Sequence, residues 1–234
     1  MSTPDHNEKF HEELDLLEQR LLAIVDTAEG MVERAVRSVV TGDIDLAKGV
    51  IENDNAIDRE YFQIHQDWTT LMARYQPLGP DLRRMAVLLH LNITFERMGD
   101  QCVNIAKITQ FNEGLPSSDR ICELIQEMGD LVRPMIRTAI EAFVRKDLDE
   151  ARLLPAMDQP VDRINANMYR EAVEVADNKN TLEWATKMLM VARALERIGD
   201  QAVDFAEQTA YLITGERSSF DEAGLVKSPN DDTG

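Results

Sequence analysis

The stretch FERMGDQCVN, Phe95 to Asn104, returns one hundred residues later as LERIGDQAVD, Leu195 to Asp204. Between Glu96 and Ala106 and between Glu196 and Ala206, seven of eleven positions are identical. Self-similarity at a long period marks one structural unit used twice. The likeness extends outward: GDIDLA at 42–47 is answered by KDLDEA at 146–151, and DNAID at 54–58 by DQPVD at 158–162. Each copy of the opening stretch carries an acidic or amide residue at every fourth position. These are Glu96, Asp100 and Asn104, then Glu196, Asp200 and Asp204.

Around these motifs the apolar residues keep helical spacing, as in Leu14, Leu17, Leu21, Val25, Ala28 and Val32. The spacing predicts helices over 7–41, 45–75, 82–111, 120–145, 148–177 and 182–214. The turns between them fall at Gly42-Asp43, QPLGP 76–80, NEGLPSSD 112–119, Lys146-Asp147 and Asn178-Lys179-Asn180. Asp81 is placed to cap the third helix. No alternating apolar pattern competes with the helices. The expected fold is all-α: two tandem-repeated three-helix bundles made from six long antiparallel helices. Residues 1–113 form the first repeat and 114–214 the second. Residues 215–234 lack period and are rich in Gly, Ser, Asp and Pro, so a disordered tail is expected there.

The 234-residue chain is 44% hydrophobic and carries a net charge of −18. Such a charge is repelled by nucleic acid phosphate and by anionic headgroups. The first thirty residues are charged throughout, and no run of about eighteen apolar residues occurs. Cys102 and Cys122 lack metal-finger spacing and read as reduced thiols. The expectation is a cytoplasmic protein that neither enters a membrane nor binds nucleic acid.

The acidic rows carry the functional question. Glu96, Asp100 and Asn104 span about 12 Å of helix, too long for one ion whose carboxylate bonds are about 2.0–2.6 Å. Several ions side by side would suit such a row. The rows lie on or beside the apolar side of their helices, where an uncompensated charge is costly. Folding the chain back at residue 78 sets Asp58 level with Glu96 and Asp100, and Asp54 between Asp100 and Asn104. The turn near residue 179 likewise sets Asp162 level with Glu196, and Asp158 with Asp200. Glu29 of the first helix falls level with Asp58.

Arg97 and Arg197 are too few to neutralise these groups, so bound cations are expected. Iron, manganese, magnesium or zinc fit oxygen donors. A solvated acidic face with scattered salt bridges is the alternative. Gly99 and Gly199 interrupt the helices at a cost of about 1 kcal/mol each, and a close approach of the neighbouring backbone would explain them. Among the four histidines, Glu8 and His11 have the ExxH spacing of di-iron bundles, but only once. No phosphate loop or nucleophile motif is present.

With QPLGPDLR at 76–83, FERMGDQCVNIAK at 95–107, DNAID at 54–58 and LERIGDQAVDFAE at 195–207, the chain resembles the PhoU family from about residue 10 to 212. The resemblance implies a homodimeric, non-enzymatic regulator of phosphate homeostasis with multinuclear metal sites. Such a protein restrains uptake by the Pst phosphate transporter and the phosphate-starvation (Pho regulon) response. It does so by contacting the transporter's ATPase and a PhoR-type sensor histidine kinase. By motif match, Asp54, Asp58, Glu96, Asp100 and Asn104 serve a first metal site, and Asp158, Asp162, Glu196, Asp200 and Asp204 a second. Arg133 stands where the first repeat has Glu29, and Pro155 and Pro160 fall in the fifth helix. The first site is therefore the stronger expectation. Two other readings stay open: a metal-carboxylate oxidase or hydrolase, and a structural helical adaptor that binds no metal.

Overall fold

The computed structural model describes residues 4–217, 219–220 and 226–227, the side chains of residues 4–6, 25–26 and 226–227 excepted. Its helices are α1 (Pro4–Thr41), α2 (Ile44–Tyr75), α3 (Pro80–Phe111), α4 (Asp119–Arg145), α5 (Leu148–Ala151), α6 (Leu154–Glu174) and α7 (Lys179–Thr214). The fold is all-α, with α1–α3 as one three-helix bundle. In its repeat α4 and α7 answer α1 and α3, and α5 with α6 answers α2. Two short strands, β1 (Ser219–Phe220) and β2 (Val226–Lys227), pair antiparallel within the stretch expected to be a disordered tail. The remainder of that stretch beyond Arg217, like the Val25 side chain, lies outside the described residues.

Helix ends follow from local chemistry. Gly42 turns the chain at a φ of 68°, and the Asp43 carboxylate accepts the Leu46 amide at the start of α2. Asn178 accepts the Asn180 and Thr181 amides at the start of α7. At α3 the expectation fails: Gly79 is the cap, without a side-chain bond, and Pro80 occupies the first turn. Asp81 instead meets His11 Nε2 at 3.1 Å, so the lone ExxH histidine of α1 is engaged by α3.

The continuous fifth helix expected over 148–177 is also corrected. After α5 the Arg152 amide bonds Leu148 O and the Leu153 amide bonds Glu150 O, and α6 restarts with Pro155 in its first turn. Pro155 lacks the N–H that would bond the Ala151 carbonyl four residues back, so the ladder stops there. Pro134 and Pro160 lie inside α4 and α6, which continue past them.

One hydrophobic core runs through both repeats. α3 packs against α1, α2 and α7 together, which is why apolar residues cover most of its circumference. At the α3–α7 seam the Phe95 ring lies 5.6 Å from Phe205, and Phe205 lies 5.7 Å from Phe143. A second seam joins α1 to α4, close enough that a Cβ on Gly129 would meet Val36 at 2.9 Å. Arg84 ties α3 to α1 through Glu18 and Asp15 at 2.8 and 2.6 Å. Cys102 is buried and Cys122 half-buried, both as free thiols. No helix among the described residues is long and apolar enough to cross a membrane.

Candidate functional site

Helices α2 and α3 run antiparallel from the turn at Gly79, and this brings four carboxylates of the first repeat together. Burial first, then repulsion from Asp58, Asp100 and Glu96, pushes the Asp54 carboxyl up to about 6. Glu96 is raised by burial and by Asp100 and Asp58. The second repeat builds the same group from α6 and α7. Asp158 is pushed up to about 7 by burial and by Asp162, Asp200 and Glu196. Burial is the largest cause for Glu196 and Asp200 also, with Asp200 next for Glu196 and Asp162 next for Asp200. The registers expected from the sequence, DxxxD on one helix level with ExxxD on the next, are the ones observed.

The two helix glycines make room for these groups. A Cβ on Gly99 would lie 2.7 Å from Asp54 Oδ1, and a Cβ on Gly199 would overlap Asp158 Oδ1. What approaches each glycine is a carboxylate oxygen of the facing helix, where the sequence suggested backbone. In the second repeat Asp158 and Glu196 are each only 7% exposed, and Asp158 Oδ1 is buried without a hydrogen-bond partner. An orphaned buried carboxylate oxygen is costly and fits a cation in donor type. With Pro160 inside α6, Asp162 still acts on Asp158 one turn away.

Other members of the rows point elsewhere. Eight residues advance a helix by about 800°, leaving the third row position about 80° round from the first. Asn104 therefore faces the groove between α3 and α7. Asp204 accepts a 2.6 Å contact from His90 of the first repeat. Glu29, level with Asp58 in sequence, is held at 2.6 Å by Arg137 and at 3.5 Å by Arg133, across the α1–α4 seam. Arg193, one turn before Glu196, pairs with its Oε1. The sequence reading missed Arg193, although its i, i+3 spacing from Glu196 was a visible signal. Among the described residues, no group of three or more His, Cys, Asp or Glu side chains is closed round a point so as to hold a metal ion. The carboxylates are near enough to repel one another but do not converge.

A duplicated three-helix bundle with a carboxylate cluster clasped between the second and third helix positions of each copy defines a narrow class of helical protein. The chain belongs to the PhoU family: the PhoU domain matches residues 21–109 and again 125–209, once per repeat. A Clostridium acetobutylicum protein named phosphate-specific transport system accessory protein PhoU homolog is 30% identical over 215 residues, 91% of this chain and 98% of that one. PhoU from Pseudomonas aeruginosa, in its crystal structure, is 31% identical with a TM-score of 0.82, covering 88% of this chain and 100% of that one. The phosphate transport system regulatory protein PhoU from Streptococcus pneumoniae shares the fold at 24% identity, with a TM-score of 0.80 over 90% of this chain and 100% of that one.

Proposed function

We propose that this chain is a cytoplasmic accessory protein of a phosphate-specific transport system. It would restrain phosphate uptake and the phosphate-starvation response through protein contacts, with metal ions on its carboxylate clusters. The family and its relatives' names support the transport role. The observation that carries the metal reading is the repeated arrangement itself, in which a carboxylate from one helix lies over a glycine that interrupts the next. Asp54, Asp58, Glu96 and Asp100 would hold the first group of ions and Asp158, Asp162, Glu196 and Asp200 the second. Asn104 and Asp204 would join only ions placed further along each row. Bound cations would supply positive charge beyond what Lys107 gives the first cluster and Arg193 the second. The chain's own residues then cross-link the second and third helix positions of each bundle and fix the surface offered to partners.

On this reading the protein is a homodimer that meets the transporter's ATPase and a PhoR-type sensor kinase. It performs no catalysis, in keeping with relatives that are named accessory proteins. One observation favours a second reading for the second repeat. Arg193 already compensates Glu196 there, so that cluster can also serve as a metal-free structural ion pair.

Elemental analysis tests the metal reading. Wild-type protein should carry iron, manganese, magnesium or zinc, and Glu96→Ala/Asp100→Ala should lose the first site's share. Trace metal alone in the wild type would sink it. For the regulatory role, deleting the gene should raise phosphate uptake when phosphate is ample; unchanged uptake would count decisively against it.

A further inference from the structure

The α3–α7 seam has two ends, and the repeat makes them equivalent in backbone but not in charge. At one end the seam is closed. His90 of α3 meets Asp204 of α7 at 2.6 Å. Beside it Phe220 of β1 is buried at 8% exposure, its amide donating to Glu207 Oε1 at 2.8 Å. A residue outside both bundles thus buries an aromatic side chain and bonds α7 through its backbone amide.

At the other end the same seam opens into a groove of about 640 Å³. By the repeat, Lys107 stands where the closed end has Glu207, and Asn104 where it has Asp204. Lys107, Lys187, Arg193 and Arg197 line the groove, and among the described residues no carboxylate does, in a chain whose net charge is −18. Lys187 donates to the Phe111 carbonyl at 3.1 Å and to Glu183, and Arg193 pairs with Glu196, so both are oriented by neighbouring groups. Phe111 and Met190 project from the groove walls at 70% and 61% exposure. The stretch of α3 that lines it, from Gln101 to Phe111, is about 15 Å long.

We propose that this groove is a docking site for an extended acidic segment of a partner protein carrying an aromatic or large aliphatic residue. That residue seats between α3 and α7 against Phe111 and Met190, and its flanking carboxylates meet Lys107 and Arg197. A free inorganic anion would use the cations but leave Phe111 and Met190 uncovered. The 15 Å run of lining and its mixed chemistry match a short peptide in both respects. The proposal needs no metal on the carboxylate clusters.

Display of short random peptides against the full chain tests it, with Lys107→Glu as a second bait. The wild type should enrich sequences rich in Asp and Glu that contain Phe, Tyr, Trp or Leu. A labelled peptide made from the enriched set should bind about tenfold more weakly to Lys107→Glu and to Met190→Asp, both at unchanged helicity. Added salt should weaken it further in the wild type. No enrichment, enrichment without acidic bias, or binding indifferent to both substitutions would overturn the proposal. Two other outcomes would also overturn it. Loss of self-association as the only effect of the substitutions would assign the groove to a second copy of the chain. Displacement of the peptide by stoichiometric inorganic phosphate would make it a small-anion site. Metal content measured on the same variants separates any of these failures from failure of the metal reading.

Discussion

At Gly99 and Gly199 the helix gives up side-chain volume so that an oxygen of the facing helix can come in. Alanine at a helix-interior glycine ordinarily gains about 1 kcal/mol. Gly99→Ala should instead lower the urea midpoint, because its methyl meets Asp54 Oδ1. In an Asp54→Ala background the same change should stabilise, and the non-additivity of the pair measures the contact. Stabilisation in both backgrounds would mean that the glycine is merely a weak point. The titration of Asp158 leads to a second outcome. Its folded value of about 7 lies above the ordinary 3.8, so the folded chain holds a proton that the unfolded chain has lost between those values. The stability that Asp158 contributes is therefore full below 3.8 and is lost as pH rises to about 7. Asp162, Glu196 and Asp200 face Asp158 from α6 and α7, with Arg193 opposing them through Glu196. Metal-free protein should melt a few degrees lower at about pH 8 than at about pH 5, and Asp158→Asn should flatten that slope. A slope unchanged in the variant would place the titration elsewhere.

Helix positions were mostly legible in the chain, since turn residues and caps are local chemistry. Asn178 shows this: its side chain accepts two amides at the start of α7. Asn178→Ala should cost about 1 kcal/mol in chemical denaturation without changing metal content. Unchanged stability would show that packing alone sets that end. The prolines were harder to interpret. Pro155 and Pro160 look alike in sequence, yet one marks a restart and the other lies within a continuing helix. The acidic rows were legible as pairs, because antiparallel register follows from the turn. Their third members were not, although an 80° rotation over eight residues already took Asn104 and Asp204 away from the first.

The packing of the two repeats was the part the sequence withheld. Glu29 matched Asp58 by register along α1 and α2, but its partners are Arg133 and Arg137, which only the α1–α4 seam brings near. Phe95, Phe205 and Phe143 make the core continuous from one repeat to the other. A fragment ending at residue 113 would expose the α3 face that Phe205 covers, along with the α1 face under Gly129. It should aggregate or unfold without a cooperative transition when expressed alone, and a sharp thermal transition in that fragment would show that the first repeat is self-sufficient.

The oxygen over each glycine also constrains how such chains can diverge. While Asp54 stays, a side chain at position 99 must push its Oδ1 aside, and the same holds for Asp158 and position 199. Each pair changes most easily if the carboxylate goes first. In a lineage that has abandoned one cluster, the glycine is released from selection, and alanine, the better helix former, should replace it. The two positions should then vary together across descendants, so the residue facing an absent aspartate would record which of the two clusters a given relative has ceased to use.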